Sequence, residues 1–247
     1  MPNTDQRDVV TGQPDSYQRL TVPVQISGRG PYRFVVDTGS QKSVVARHVA
    51  DELSLERGAQ ERIIGLTGPE MVETATVAEL GIGRRRHRNL DVVIFDAQNI
   101  GADGIIGIDS LQGQRVLLDF GRNLMTVGDA RSLGGDDVMI DTGSDTTIAN
   151  RALQRALNKR DALTPVILIS ASGQTLVADI GIHRRLEIAS IGIANLLVAY
   201  TDAPVFAALG LDRRPAMMLG MRELRLFPRI AIDFSRQKVY FDLPPPE

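Results

Sequence analysis

The sequence predicts an all-β fold, β-rich with short helices, built as two lobes related by a pseudo-twofold axis within one chain. Three observations predict it. The tetrapeptide Asp37-Thr38-Gly39-Ser40 recurs as Asp141-Thr142-Gly143-Ser144, an offset of 104 residues. Matching blocks flank both copies. Between turn signals the apolar segments are short and strand-like, with few stretches of helical period.

The repeat sets the organisation. The same offset aligns Leu20-Thr21-Val22 with Leu124-Met125-Thr126, Phe34-Val35-Val36 with Val138-Met139-Ile140, and Ser43-Val44-Val45 with Thr147-Ile148-Ala149. Asn89–Asp96 matches Asn195–Asp202 at 106, and Ile106-Gly107-Ile108 matches Leu219-Gly220-Met221 at 113. Val116-Leu117-Leu118-Asp119-Phe120 then matches Ile230-Ala231-Ile232-Asp233-Phe234. Small insertions explain the growing offset, the largest around Phe206–Arg214. One such tetrapeptide is expected by chance in well under about one chain in a hundred. The organisation that follows is a polar N-terminal tail over 1–17, a first lobe over 18–127 and a second over 128–247.

Each half reads in the same order. Leu20–Ile26 is a strand, Ser27–Pro31 a turn, and Tyr32–Val36 a strand that delivers Asp37. Ser43–Val45 is a short strand, and Ala46–Leu53 a helix with Asn150–Leu157 as its counterpart. Glycine-tipped hairpins follow at Ile64–Pro69 and Ile169–Gln174. A helical turn (Asp109–Gln112; Arg222–Leu226) and two closing strands end each half. The closing strands are Arg115–Phe120 with Leu124–Val127, and Arg229–Phe234 with Val239–Phe241. No linker parts the halves, so Leu124–Val127 closes one lobe and opens the next.

Composition narrows the chemistry. The 247 residues are 43% hydrophobic and 23% charged, ordinary for a globular protein. A net charge of −2 gives no overall pull toward nucleic acid. No run approaches the roughly 18 apolar residues a membrane span needs. Cysteine is absent, which removes thiol nucleophiles and disulfides. The three histidines, His48, His87 and His183, are too few and too scattered for a histidine metal site or a serine–histidine hydrolase. What remains is carboxylate chemistry.

Each motif aspartate follows three apolar residues, so it leaves a buried strand, where a lone charge is costly. Glycine allows a tight loop, and threonine and serine offer hydroxyl donors. Two such loops meeting at a lobe interface would set two carboxylates side by side. Like charges in contact share a proton, so one acid can activate a water while the other protonates a carbonyl.

With Asp-Thr-Gly-Ser at 37–40 and 141–144, and the later signatures Ile105-Ile106-Gly107 and Met218-Leu219-Gly220, the chain resembles the pepsin/retropepsin-type aspartic peptidases over roughly residues 18–243. It is most similar to the small bacterial retropepsin-like proteins, in a single-chain form of the acid-protease fold. The resemblance implies aspartic endopeptidase activity with Asp37 and Asp141 catalytic. It implies that Thr38 and Thr142 interlock across the interface, with Gly39 and Gly143 in the same loops. It also implies that Ser40 and Ser144 bond the outer carboxylate oxygens, which predicts an acid-leaning pH optimum. Ile106, Gly107, Leu219 and Gly220 would form the knot-like partners of the loops. Leu66, Thr67 and Gly68, and Ala171, Ser172 and Gly173, would be flaps over an extended peptide or protein substrate. Neither hairpin carries the tyrosine of the pepsin flap, which points to the retropepsin branch. No cofactor and no metal are expected, and the molecule is expected to be a monomer. Residues 1–16 lack a signal peptide's apolar core; export to a periplasm with the signal segment removed is what the resemblance implies. A non-catalytic peptide-binding module, or an aspartate site for calcium or magnesium, remain open alternatives, the second short of the six or more oxygens such ions take.

Other signals read as structure. Arg84-Arg85-Arg86-His87-Arg88 and His183-Arg184-Arg185 lack interleaved aromatics and read as solvated hairpin turns, not a nucleic-acid patch. Gly101-Ala102-Asp103-Gly104 lacks the lysine of a phosphate loop. Asp119 and Asp233 read as strand-end residues at turns.

Overall fold

The computed structural model describes residues 8–111, 114–129, 139–157, 163–188, 191–234 and 238–243. Residues 1–7 of the expected tail, Gln112 and Val138 lie outside them.

Among the described residues, the strands form three sheets and a separate two-stranded hairpin. In the first lobe, Leu20–Ile26 pairs antiparallel with both Arg29–Val36 and Thr74–Ile82, so its eight-stranded sheet curls back on itself. Val24, Ile26, Phe34, Val35, Val36, Val45, Val77 and Leu80 fill the interior with no exposed surface. Each such burial contributes roughly 1.5–3 kcal/mol. The second lobe holds a six-stranded sheet, in the order Met139–Ile140, Met217–Leu219, Thr147–Ala149, Ile191–Tyr200, Thr175–Ile188 and Thr164–Ile169.

The third sheet joins the halves. Its antiparallel order is Asp8–Thr11, Leu124–Asp129, Gln114–Asp119, Arg229–Asp233 and Lys238–Phe241. At its centre Leu117 pairs with Ala231, Val116 with Ile232 and Leu118 with Ile230. Leu117 and Ala231 are counterparts in the repeat, whereas Val116 faces the counterpart of Leu118 and Leu118 that of Val116. That crossing is what a local twofold axis through the Leu117–Ala231 pair produces. Val116, Leu118, Ile230 and Ile232 are buried, so the axis runs through a packed apolar seam.

Some expectations change. Within the span read as a polar tail, Asp8–Thr11 is a strand paired with Leu124–Asp129, with Val10 buried. Local sequence there is weak; pairing with a distant edge supplies the order. Of the arginine run, only Arg84 lies in the turn, and Arg85–Arg88 open the strand Arg85–Phe95. His183-Arg184-Arg185 likewise lies inside the strand Thr175–Ile188. Asp119 does sit at a turn, its carboxylate accepting from Arg122 N at 2.9 Å. Asp233 likewise ends its strand, Arg229–Asp233, and is fully buried. Helices are short, at Arg47–Glu52 and Arg151–Ala156, the latter capped by Asn150 Oδ1, which accepts from Leu153 N at 2.8 Å. Among the described residues, no helix is long and apolar enough to cross a membrane.

Candidate active site

Both motif loops emerge from the same construction. Gly104–Ile106 runs parallel to Arg29–Val36 and antiparallel to Val44–Ala46, threading between the strands on either side of the first loop. Asp37 N donates to Ile106 O at 3.0 Å, and Ile108 N to Ser40 O at 2.8 Å. In the second lobe Met217–Leu219 runs parallel to Met139–Ile140 and antiparallel to Thr147–Ala149. There Asp141 N donates to Leu219 O at 3.0 Å and Met221 N to Ser144 O at 2.8 Å. Gly107 and Gly220 pass so close to the loops that a Cβ on either would lie 2.5 Å from backbone of Lys42 or Thr146. Only glycine permits that approach.

The loops meet across the seam. Thr38 N donates to Thr142 Oγ1 at 3.0 Å and Thr142 N to Thr38 Oγ1 at 3.3 Å. Each hydroxyl donates onward to the opposite lobe, Thr38 Oγ1 to Ile140 O and Thr142 Oγ1 to Val36 O, both at 2.8 Å. Both threonines are buried, so these bonds are shielded from water. Asp37 Oδ1 accepts from Gly39 N (2.8 Å) and Ser40 N (3.1 Å), and Asp141 Oδ1 from Gly143 N (3.0 Å) and Ser144 N (3.1 Å). Each glycine backs onto the other loop's carboxylate. A Cβ on Gly39 would lie 2.7 Å from Asp141 Oδ1, and one on Gly143 2.2 Å from Asp37 Oδ2. The two aspartates therefore share one site and remain partly accessible.

Their titration follows from this geometry. Burial pushes Asp141 up to about 7, helped by the negative charge of Asp37 and opposed by the amides of Gly143 and Ser144 and by Arg19. Asp37 is also raised by burial, against the pull of the Gly39 amide, Arg19 and the Ser40 amide. Two such neighbours titrate as a unit, one charged while the other keeps its proton.

The serines depart from expectation. Ser40 and Ser144 reach the aspartates through backbone amides; their hydroxyls donate to Lys42 O at 2.7 Å and Thr146 O at 2.9 Å. The side chains brace the loops and add no hydroxyl donor to either carboxylate.

Behind each loop lies a hydroxyl–carboxylate pair that the sequence reading missed, its hydroxyl buried in both lobes and its carboxylate buried in the second. Gly107 N donates to Ser43 Oγ at 3.0 Å, and Ser43 Oγ to Asp109 Oδ1 at 2.6 Å. In the second lobe Gly220 N donates to Thr147 Oγ1 at 3.0 Å, and Thr147 Oγ1 to Glu223 Oε2. Burial raises the Glu223 carboxyl, while the Thr147 bond opposes this. The repeat aligning Ser43 with Thr147 was the available signal.

The two hairpins expected as flaps meet one another and the opposite lobes. Glu61–Gly65 and Gly68–Val72 pair through the two-residue turn Leu66-Thr67. Leu66 packs with Leu168, Leu176 and Val205 against Phe206 and Met218 of the second lobe. The second tip, Ala171-Ser172-Gly173, lies between Thr164–Ile169 and Thr175–Ile188. Each tip touches the opposite lobe's short helix. Gly68 lies against Pro204, where a Cβ would be 3.7 Å from its ring, and a Cβ on Gly173 would be 2.5 Å from Asn99 Nδ2. The tips also meet directly, Thr67 Oγ1 donating to Gln174 Oε1 and Gln174 Nε2 to Glu70 Oε2, each at 2.7 Å.

Among the described residues, no group of three or more His, Asp or Glu side chains converges as a metal site would. Arg19, which the sequence reading passed over, is buried and donates through Nη1 to Gly143 O at 3.3 Å.

The chain is similar to known proteins. Residues 22–110 match the family model described as aspartyl protease. Over 170 residues, 66% of this chain, the sequence is 25% identical to Protein DNA-DAMAGE INDUCIBLE 1 of Arabidopsis thaliana. The match spans 37% of that relative's length. A solved retropepsin-like aspartic protease from Rickettsia conorii matches with a TM-score of 0.36 and 14% identity, covering 53% of this chain and 99% of that one.

Proposed function

We propose that this chain, a retropepsin-like aspartic peptidase by the family match of its first half, is an endopeptidase that activates water between Asp37 and Asp141, one carboxylate from each lobe. The observation that carries this reading is the crossed packing of the two loops, each glycine against the opposite aspartate. Between loss of the first and second protons the pair holds one proton. The ionised member removes a proton from water as its oxygen bonds to the peptide carbonyl carbon. The protonated member gives its proton to the carbonyl oxygen. The tetrahedral diol then collapses: one aspartate gives its proton to the amide nitrogen, the C–N bond breaks, a diol hydroxyl returns its proton to the other aspartate, and an acid and an amine leave a pair that again holds one proton. No covalent enzyme intermediate forms.

The other residues have supporting roles in this reading. Thr38 and Thr142 hold the loops in register; Gly39, Gly143, Ser40 and Ser144 supply amides that favour the ionised form. Ile106-Gly107 and Leu219-Gly220 fix the loop bases. The hairpin tips around Leu66-Thr67-Gly68 and Ala171-Ser172-Gly173 cover an extended peptide whose backbone lies across the seam. One chain supplies both halves, so a monomer suffices.

Asp37→Asn and Asp141→Asn test the reading against a peptide library. Each is expected to cut kcat/KM by at least about 10³-fold, within the range general acid–base catalysis supplies, while the threonine bonds keep the fold. Full activity in either variant would end it. Tight peptide binding with no product from the unsubstituted chain would select the binding-module alternative.

A further inference from the structure

Arg19 sits at the end of a tight turn that the apolar pattern does not mark. The Asp15 carboxylate organises this turn. Its Oδ1 accepts from Tyr17 N and Arg19 N, both at 2.9 Å, and its Oδ2 from Arg19 Nε at 2.7 Å. The pair is buried, with side-chain exposures of 10% for Arg19 and 2% for Asp15. With its charge so balanced, the guanidinium, whose Nη2 also lies 2.6 Å from Asp15 Oδ2, still reaches two backbone carbonyls beyond that carboxylate. Nη2 donates to Ile100 O at 2.6 Å, just before the strand that braces the first loop, and Nη1 reaches Gly143 O in the second loop. One side chain thus ties the N-terminal turn, the first lobe's brace and the second lobe's catalytic loop.

The arrangement is one-sided. The 104-residue offset puts Asn123 at the position of Arg19. Asn123 lies between the two closing strands of the first half and is uncharged. From the peptidase reading of the site, on which this step rests, we propose that Arg19 is a positioning residue for the aspartate pair: it anchors Gly143 against Asp37 and places one buried positive charge behind both carboxylates, from one lobe only. Its charge opposes the burial-driven rise of both Asp37 and Asp141. The groups facing it are Asp15, the Tyr17 ring at 5.2 Å, and, through the Gln18 carbonyl, Arg225, whose Nε donates there at 2.5 Å.

The signs are opposite for the two members of the ion pair. Removing the cation (Arg19→Met) favours the protonated forms, so both limbs of the pH–kcat/KM profile should move up by about half a pH unit or more. Neutralising its partner (Asp15→Asn) leaves Arg19 uncompensated with its bonds to Gly143 and Ile100 intact, so both limbs should move down. Arg19→Lys keeps the charge and should leave the limbs near those of the unsubstituted chain. Carboxyl NMR titration of Asp37 and Asp141 in the same variants reads the same shifts without turnover. A failed peptidase reading therefore shows in the cleavage assay, and a failed role for Arg19 in the titration. If Arg19→Met does not fold, Asp15→Asn alone decides. Limbs and titrations that stay put in Asp15→Asn while melting temperature falls would make the ion pair purely structural and overturn the inference.

Discussion

Gly143 backs directly onto Asp37: a Cβ there would stand 2.2 Å from both Cγ and Oδ2 of the carboxylate, closer than any real contact. The equivalent contact of Gly39 on Asp141 is looser, 2.7 Å to Oδ1. The loop glycines are thus spacers that set how the two acids face one another.

Alanine at these positions should act through that spacing. Gly143→Ala must displace the Asp37 carboxylate or the loop itself. A misplacement near 1 Å costs on the order of 10²-fold in rate, so kcat should fall at least that far. Gly39→Ala should be the milder of the two. Steady-state kinetics on both variants, with melting curves to confirm folding, check this ordering; a harmless Gly143→Ala would contradict the packing.

The raised Asp141 carboxyl makes a stability prediction with a definite sign. Its ordinary value is 3.8 and its folded value about 7, so the folded state holds the proton more tightly than the unfolded chain does. Its stabilising contribution is complete below about 4 and is lost as pH rises through about 7. The loss is at most about 4 kcal/mol and smaller in practice, because the group is partly open to solvent. Asp141→Asn should flatten the fall in melting temperature between pH 4 and 8 and be the more stable protein at pH 8. The same titration limits catalysis, with kcat/KM declining above about 7. The active window therefore reaches nearer to neutrality than the serine argument from sequence suggested.

Ser40→Ala and Ser144→Ala discriminate between the two accounts of that window. Their hydroxyls bond Lys42 O and Thr146 O, not the carboxylates. Each alanine should cost about 1 kcal/mol of stability and leave both limbs of the pH profile in place. A downward or upward move of either limb would show that the hydroxyls do act on the acids.

Much of this was legible in the sequence because duplication writes the same physics twice. The apolar runs before Asp37 and Asp141 and the apolar pairs before Gly107 and Gly220 recur, and the β-rich two-lobed class follows from them. What escaped depends on contacts between distant segments. The strand Asp8–Thr11 owes its order to Leu124–Asp129, and nothing in Asp-Val-Val-Thr alone demands it. Arg19 has no repeat partner, so the symmetry argument could not find it. The hydroxyl directions of Ser40 and Ser144 are a rotamer choice set by the backbone carbonyls two residues on, which composition does not encode.

The contact between hairpin tips yields the last prediction. Gln174 is the hinge of that contact, accepting from Thr67 and donating to Glu70 across the seam. Both bonds are solvent-exposed, so together they contribute only about 1 kcal/mol. Gln174→Glu keeps the acceptor for Thr67 but replaces the donor facing Glu70 with a second negative charge. At neutral pH the tips should part more often, and amide hydrogen exchange over residues 61–72 should quicken roughly fivefold, the rate equivalent of about 1 kcal/mol. Exchange that is unchanged at neutral pH would mean that the tips are held by the packing of Leu66 and Gly68 on the opposite lobe and not by Gln174.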